Sequence, residues 1–515
     1  MTTELLALLP SYLTAHLQLA LAALGLAIAI SVPLGIVAAR SPRLERPLLG
    51  IAALIQTVPG LALLAVMVPV LAALGLRSIG FLPALVGLTL YGLLPILRNT
   101  VTGITGVDAA LVEAARGVGM TDRQQLFRVE LPLALPVIVA GVRTATVWTV
   151  GMATLSTPVG APSLGNLIFS GLQTRNYASV LLGSAAAATL ALLLDGLVHA
   201  LEVGVTRRRR GTIAAAFAGI ALLVVAAVVP AIGSSLQARA RPVVIGAKTF
   251  TEQYVLSEVL AQWIERTTSL PTEVRASLGS TVAYDALASG DIDVYVDYSG
   301  TLWATILKRT TPPRDRASAL DEIARFVRER DGIELVCDLG FENAYALAMR
   351  ARDADRLGIR RIGDLAPHAG KMTVGGDYEF FSRPEWRAIR EVYGLRFASE
   401  RSMDSSLMYQ AAAAGDVDVI SAFSTDGRIA ALDLRVLEDD RGAIPPYDAV
   451  VLASGRLARE HPEAIEALRR LARTIDAPAM RAANLAVDEQ GRAPAEVARA
   501  MLEDLERAAA GGSAR

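Results

Sequence analysis

The first 235 residues are dominated by apolar runs that few soluble folds could bury. They lie at 12–39, 48–74, 80–97, 132–156, 178–203 and 211–233. About 20 apolar residues in a helix cross the hydrocarbon core of a bilayer, and a helix satisfies its own backbone there. The runs therefore predict an α-helical membrane domain with about six spans. The first is not expected to be a cleavable leader, because it lacks a basic start and opens with Glu4. Basic residues cluster in alternate loops: Arg40, Arg43 and Arg46; then Arg98, Arg116, Arg123 and Arg128; then the block at 207–210. The other loops hold only Arg77 and Arg175. Such clusters mark the cytoplasmic side, so six crossings leave the N-terminus and the segment after residue 241 outside. Asp195 and His199, one turn apart in the fifth run, are expected to reach the interface or a neighbouring helix.

The second half is a different material. Charged residues make up 20% of the chain, and most of the Asp and Glu fall in residues 241–515. Short apolar strands alternate there with amphipathic helices, as in VVIGA before a helix from about 252, which predicts α/β architecture with largely parallel sheets. Ligands of such sheets bind beyond the carboxyl ends of the strands. One unit occurs twice: GDIDVYVDYSG from Gly290 and GDVDVISAFST from Gly415. Aligned on the glycine, Tyr298 and Phe423 share a position at the strand's carboxyl end. In two similar lobes they would face one cleft from opposite walls, as suits a cation without hydrogen-bond donors. Two core aromatics in a duplicated strand is the alternative.

Several classes are disfavoured. A net charge of −1 gives no reason to invoke nucleic acid. The single cysteine, Cys337, allows no intrachain disulfide. None of the three lysines (Lys248, Lys308, Lys371) stands in a phosphate-binding loop, so nucleotide hydrolysis is expected in a separate polypeptide. No paired catalytic motif or metal-ligand spacing is apparent, and no cofactor or metal is expected.

Residues 113–132, EAARGVGMTDRQQLFRVELP, resemble the EAA loop of ABC-importer permeases. Glu113, Ala114, Ala115, Gly119, Val129, Leu131 and Pro132 fill that pattern without a gap. The resemblance implies a dock for the ATPase, with small side chains for close approach, Glu113 and Arg116 for charged contacts, and Gly119 in a left-handed helix end. VGAPSLGNLIF at 159–169 resembles a glycine-rich stretch of osmoprotectant permeases and suits an outer gate.

Residues 243–455 are similar to the substrate-binding proteins of glycine betaine, choline and carnitine importers. The stretches that carry this are GAKTFTEQ, DYSGT, GFENAYALA, MYQAAAAGDVDVISAFSTDG, LEDD and PPY. The resemblance implies ligand contacts at Gln253, Tyr298, Thr301, Asn343, Tyr345 and Tyr447. Relatives often carry Tyr where Phe423 stands, so one hydroxyl is missing here. Thr249 and Glu252 have capping-box spacing, which would present Gln253 at a helix N-terminus. Arg383 is either a carboxylate anchor or a surface arginine. Asp426 either orients the cleft, binds a cationic group or caps a helix.

The expected assembly is a permease at 1–210, a sixth span and linker at 211–241, and a two-lobed periplasmic-binding-protein-like receptor at 242–515. It would import quaternary-ammonium solutes across a bacterial inner membrane as a homodimer with a separate ATPase. An ergothioneine importer of the same fused kind, a membrane-anchored sensor and an enzyme are the alternatives. A sensor has no need of a complete EAA loop.

Overall fold

The computed structural model describes residues 2–174, 176–237, 241–309 and 315–512; Arg175 and the linker residues 238–240 lie outside them. The chain divides into two compact units, one of membrane helices and one C-terminal α/β unit.

The helical unit runs α1 (Thr2–Ala39), α2 (Pro42–Thr57), α3 (Gly60–Ala73), α4 (Phe81–Thr105), α5 (Ala109–Gly117), α6 (Asp122–Gln125), α7 (Leu131–Ala153), α8 (Gly165–Gln173), α9 (Tyr177–Thr206) and α10 (Arg210–Gln237). Among the described residues, five helical spans are long and apolar enough to cross a membrane, and the pair α2–α3 supplies a sixth.

The span expected at 48–74 is broken rather than continuous. It bends by 102° between Thr57 and Gly60. The cause is local: Val58 precedes Pro59, whose ring disfavours helical backbone at the residue before it, and Val58 sits at φ −69°, ψ 128°. The pair still links opposite faces. Just before α2, Arg40 Nη2 donates to Glu130 Oε2 at 2.7 Å. Just after α3, the Gly80 N–H donates to the Val159 carbonyl at 2.7 Å. Glu130 and Val159 flank the two ends of α7, so α2 and α3 together cross.

Small residues let the spans approach closely, as membrane packing favours. A Cβ on Gly141 of α7 would lie 2.7 Å from the Pro95 carbonyl oxygen of α4. Asp195 of α9 does meet a neighbouring helix: Arg143 of α7 grips it with two bonds, at 2.7 and 3.0 Å, and reaches His199 at 3.0 Å.

The α/β unit holds two five-stranded sheets. The first is ordered β2-β1-β3-β10-β4 and the second β7-β6-β8-β5-β9. The strands are β1 (Val243–Lys248), β2 (Thr272–Leu278), β3 (Val294–Tyr298), β4 (Glu334–Glu342), β5 (Tyr345–Arg350), β6 (Thr373–Gly376), β7 (Ser399–Ser402), β8 (Val419–Phe423), β9 (Leu434–Leu437) and β10 (Asp448–Ala453). Pairing is mixed rather than largely parallel. β10 runs antiparallel between β3 and β4, and β5 antiparallel between β8 and β9. The reason is that the chain crosses between lobes at Asn343–Ala344 and returns before β10, which inserts each reversed strand from the other side.

The two orders superimpose, so β3 and β8 are equivalent, as the GDxDV repeat requires. Its glycines end helices in left-handed backbone, at φ 76° for Gly290 and 92° for Gly415. Its second aspartate caps the neighbouring strand. Asp293 Oδ2 accepts from Val244 N at 2.9 Å, and Asp418 Oδ2 accepts from Thr373 N at 2.8 Å. The repeat is thus a device that seats a strand and delivers its last residue to the carboxyl edge of the sheet.

Candidate functional site

The cleft between the lobes is lined by aromatic rings, with a volume of about 230 Å³. Tyr298 ends β3 and Phe423 ends β8, and Phe250 stands between them, with ring centroids at 6.1 Å from Tyr298 and 6.4 Å from Phe423. Phe250 and Phe423 are nearly parallel, at 4°. Tyr345 packs at 5.1 Å from Phe423 and edge-on at 5.8 Å from Tyr447. Thr301 and Asn343 also line the cavity. Tyr447 lies flat on Gly300, where a Cβ would come within 2.6 Å of its ring. Glycine is required there by close approach.

Arg383 is no surface arginine. It is 8% exposed, lies 5.2 Å over the Tyr345 ring and lines the same cavity. It donates to Tyr447 Oη at 3.3 Å, Glu385 at 3.3 Å and Glu379 at 3.2 Å. Burial works against its charge, but Tyr345, Tyr447 and Glu385 outweigh it and hold the guanidinium protonated. Asp377, also in the lining, has its carboxyl pushed up by burial.

Behind the rings lies a polar hub that the sequence reading assigned differently. Glu252 does not form a capping box with Thr249; the helix α11 (Thr251–Thr268) begins after Phe250 with no side-chain cap. Instead the Glu252 carboxylate is buried and accepts from Tyr298 Oη at 2.5 Å, Asn343 Nδ2 at 2.9 Å, Thr425 Oγ1 at 2.5 Å and Asn484 Nδ2 at 3.2 Å. These donors come from the first lobe, the crossover, the second lobe and the helix Ala477–Asp488. Burial pushes its carboxyl up while the four donors pull it back. Gln253 backs the same ring: its Nε2 donates to Tyr298 Oη at 3.1 Å, and it is only 1% exposed.

Asp426 lies beside the cleft, gripped by Arg428 Nε at 2.9 Å and capping the Arg428 N–H at 2.9 Å. Its charge is spent on that pair. Arg428 in turn sits 4.2 Å over the Tyr409 ring. Lys248, Phe250 and Thr425 escaped the sequence reading. Phe250 stands among polar residues inside GAKTFTEQ, and Lys248 pairs with buried Asp297 under the Tyr298 ring.

The EAA loop is a second candidate site, in the helical unit. Gly119 takes φ +80°, and Met120 N donates back to the Ala115 carbonyl at 3.1 Å, closing the end of α5 as expected. Glu113, Ala114 and Arg116 are exposed and Ala115 is buried. Leu111, Val118 and Phe127 are exposed apolar residues around them.

Two family models match the chain. Residues 31–207 match the binding-protein-dependent transport system inner membrane component. Residues 241–504 match the substrate binding domain of ABC-type glycine betaine transport system. An ergothioneine transport permease/ergothioneine binding protein of Helicobacter pylori (strain G27) is 30% identical over 93% of this chain and 87% of its own. An osmoprotectant import permease protein of Salmonella typhimurium (strain LT2) is 43% identical over 37% of this chain and 88% of its own. A solved glycine betaine/carnitine/choline ABC transporter structure is 32% identical, covering 51% of this chain and 98% of that one with a TM-score of 0.46.

Proposed function

Because this chain belongs to the family of ABC importers in which a membrane permease is fused to a glycine-betaine-type substrate-binding domain, we propose that its solutes are betaines. These carry a quaternary ammonium at one end and a carboxylate at the other. The observation that carries the reading is the pairing of an aromatic cavity with one buried guanidinium. A methylated ammonium has no N–H to donate, so ring faces are its best partners, each worth about 0.5–2 kcal/mol. Phe250, Tyr298, Tyr345, Phe423 and Tyr447 offer those faces. Arg383 suits the carboxylate, since charge-assisted bonds to a planar guanidinium are strong and directional. Choline has no carboxylate and would leave Arg383 unused.

A second reading within the class is ergothioneine, a betaine with an imidazole-thione. The near-parallel Phe250 and Phe423 rings favour it, because they add aromatic faces to the cavity on which a flat ring can stack. The full-length fused relative from Helicobacter pylori carries that solute in its name.

The coupling side completes the reading. The chain has no phosphate-binding loop, and the EAA loop offers a docking face of small, apolar and charged residues to a separate ATPase. Two copies of the chain would supply the two membrane domains of one importer, with their receptors outside the bacterial inner membrane. Calorimetry on the full chain in nanodiscs, against glycine betaine, carnitine, ergothioneine and choline, tests the solute class. Carboxylated solutes should bind at least about tenfold more tightly than choline, a difference of about 1.4 kcal/mol. Choline binding most tightly would overturn the proposal.

A further inference from the structure

The coupling loop is wired to more than its own helix. Arg116 of α5 donates through Nε to Gln125 Oε1 at 3.3 Å. Gln125 Nε2 donates to Glu130 Oε1. Glu130 Oε2 accepts from Arg40 Nη2 at 2.7 Å. Arg40 stands at the junction of α1 and α2, one residue before the Ser41 cap of the broken span. Gln125 and Glu130 are 2% and 6% exposed. A buried carboxylate that loses one partner leaves an uncompensated charge, so breaking either bond to Glu130 is costly.

The surroundings make the link stiff. Leu126 and Leu131 pack with Ile36 and Ala39 of α1 and with Ile104, Ala134 and Ile138, on one apolar cluster. Glu130 closes a π-helical turn, Leu126–Glu130, that joins α6 to α7 without a break. Such turns re-aim a side chain within a continuous helix. Here Glu130, the last residue of the turn, pairs with Arg40 at the α1–α2 junction while the helix continues into α7.

We propose that Glu130 is a positioning residue that splits the ATPase's stroke. One part passes along the continuous helix into α7. The other passes through Arg40 into the α2–α3 pair, whose bend at Pro59 allows it to swing. A loop that merely docks would need no buried carboxylate paired with an arginine at the junction of two other helices.

The test uses the full chain purified with its ATPase subunit in nanodiscs, with a bimane fluorophore on Val66→Cys in α3 or Val147→Cys in α7. Both positions are exposed. The native Cys337 does not compete, being buried with its thiol pushed up to about 12 by that burial. The readout is the fluorescence change on trapping with ATP and vanadate, which requires no solute. In the parent chain both labels should respond. In Glu130→Gln and Arg40→Gln the α3 response should fall at least about fivefold, the scale of one pairwise coupling, while the α7 response and ATPase co-purification persist. The exchanged pair Arg40→Glu with Glu130→Arg should recover much of the α3 response. A parental α3 response in both single variants would overturn the proposal. So would equal loss at both labels, or an exchanged pair no better than the single variants. Silence of both labels in the parent chain would instead count against ATPase coupling itself.

Discussion

Tyr298 and Phe423 occupy the same point of two equivalent strands, yet they are held in opposite ways. The Tyr298 hydroxyl is locked from behind by Glu252 and Gln253, and its ring is buried. Phe423 has no hydroxyl and is half-buried; its ring is held by packing alone, 5.1 Å from Tyr345, while its backbone N–H donates to Tyr409 Oη at 3.0 Å. One wall is thus part of the polar hub that joins the lobes, and the other is a replaceable face. Duplication set the geometry; the hub made the walls unequal.

The largest test of that inequality is Tyr298→Ala. It removes a ring face and strips Glu252 of a donor, so betaine affinity should fall by about 100-fold or more, combining a cation–π contact with a damaged hydrogen-bond network. Calorimetry reads this directly, and a loss below about tenfold would make the two walls equivalent. Next is Arg383→Gln. Carboxylated solutes should weaken by about 10–100-fold, the range for a lost charge-assisted bond, with choline changed by less than about threefold. Gly300→Ala should cost about tenfold, because the new Cβ displaces the Tyr447 ring and overpacking of this kind costs about 1–3 kcal/mol. Phe423→Tyr should be the mildest, within about threefold, since the face survives and cation–π strength is similar for the two rings.

A pH experiment probes Asp488, which lies beside Arg428 at the edge of the cleft. Asp488 accepts from Thr251 Oγ1 at 2.6 Å and lies 4.0 Å from Arg428. Burial pushes its carboxyl up from 3.8 to about 7, against the pull of Arg428. The folded state therefore holds this proton more tightly than the unfolded chain. Its contribution to stability is full below pH 3.8 and is lost as pH rises toward 7. Asp488→Asn should flatten that part of the receptor's thermal-stability profile and raise the melting temperature at pH 8. An unchanged slope between pH 4 and 7 would mean that the carboxyl titrates normally.

Much of this arrangement was legible in the residues. Apolar runs located the spans, since burial in lipid leaves little compositional freedom, and the GDxDV repeat located two equivalent strands because capping a neighbour demands aspartate at a fixed distance. The break at Pro59 was present as Val58-Pro59-Gly60, but hydropathy averages over a single proline. The Glu252 hub was not readable: its partners Tyr298, Asn343, Thr425 and Asn484 are scattered along the chain, and a local spacing with Thr249 offered a simpler use for the same carboxylate. Arg383 was ambiguous for a related reason, because only the tertiary packing of Tyr345 and Tyr447 decides whether an arginine after a turn is buried. The mixed sheets likewise follow from two lobe crossings that strand patterns do not encode.

The most direct test of the aromatic cleft compares glycine betaine with 3,3-dimethylbutanoate, its isostere with carbon in place of the charged nitrogen, by calorimetry on the full chain. Shape and carboxylate are kept, and only the positive charge is removed. If the rings bind a cation, the isostere should lose about 10–30-fold, equivalent to one or two cation–π contacts. Equal affinity for the two would contradict the account, leaving the five rings as an apolar lining and the repeated aromatic position as a feature of the fold alone.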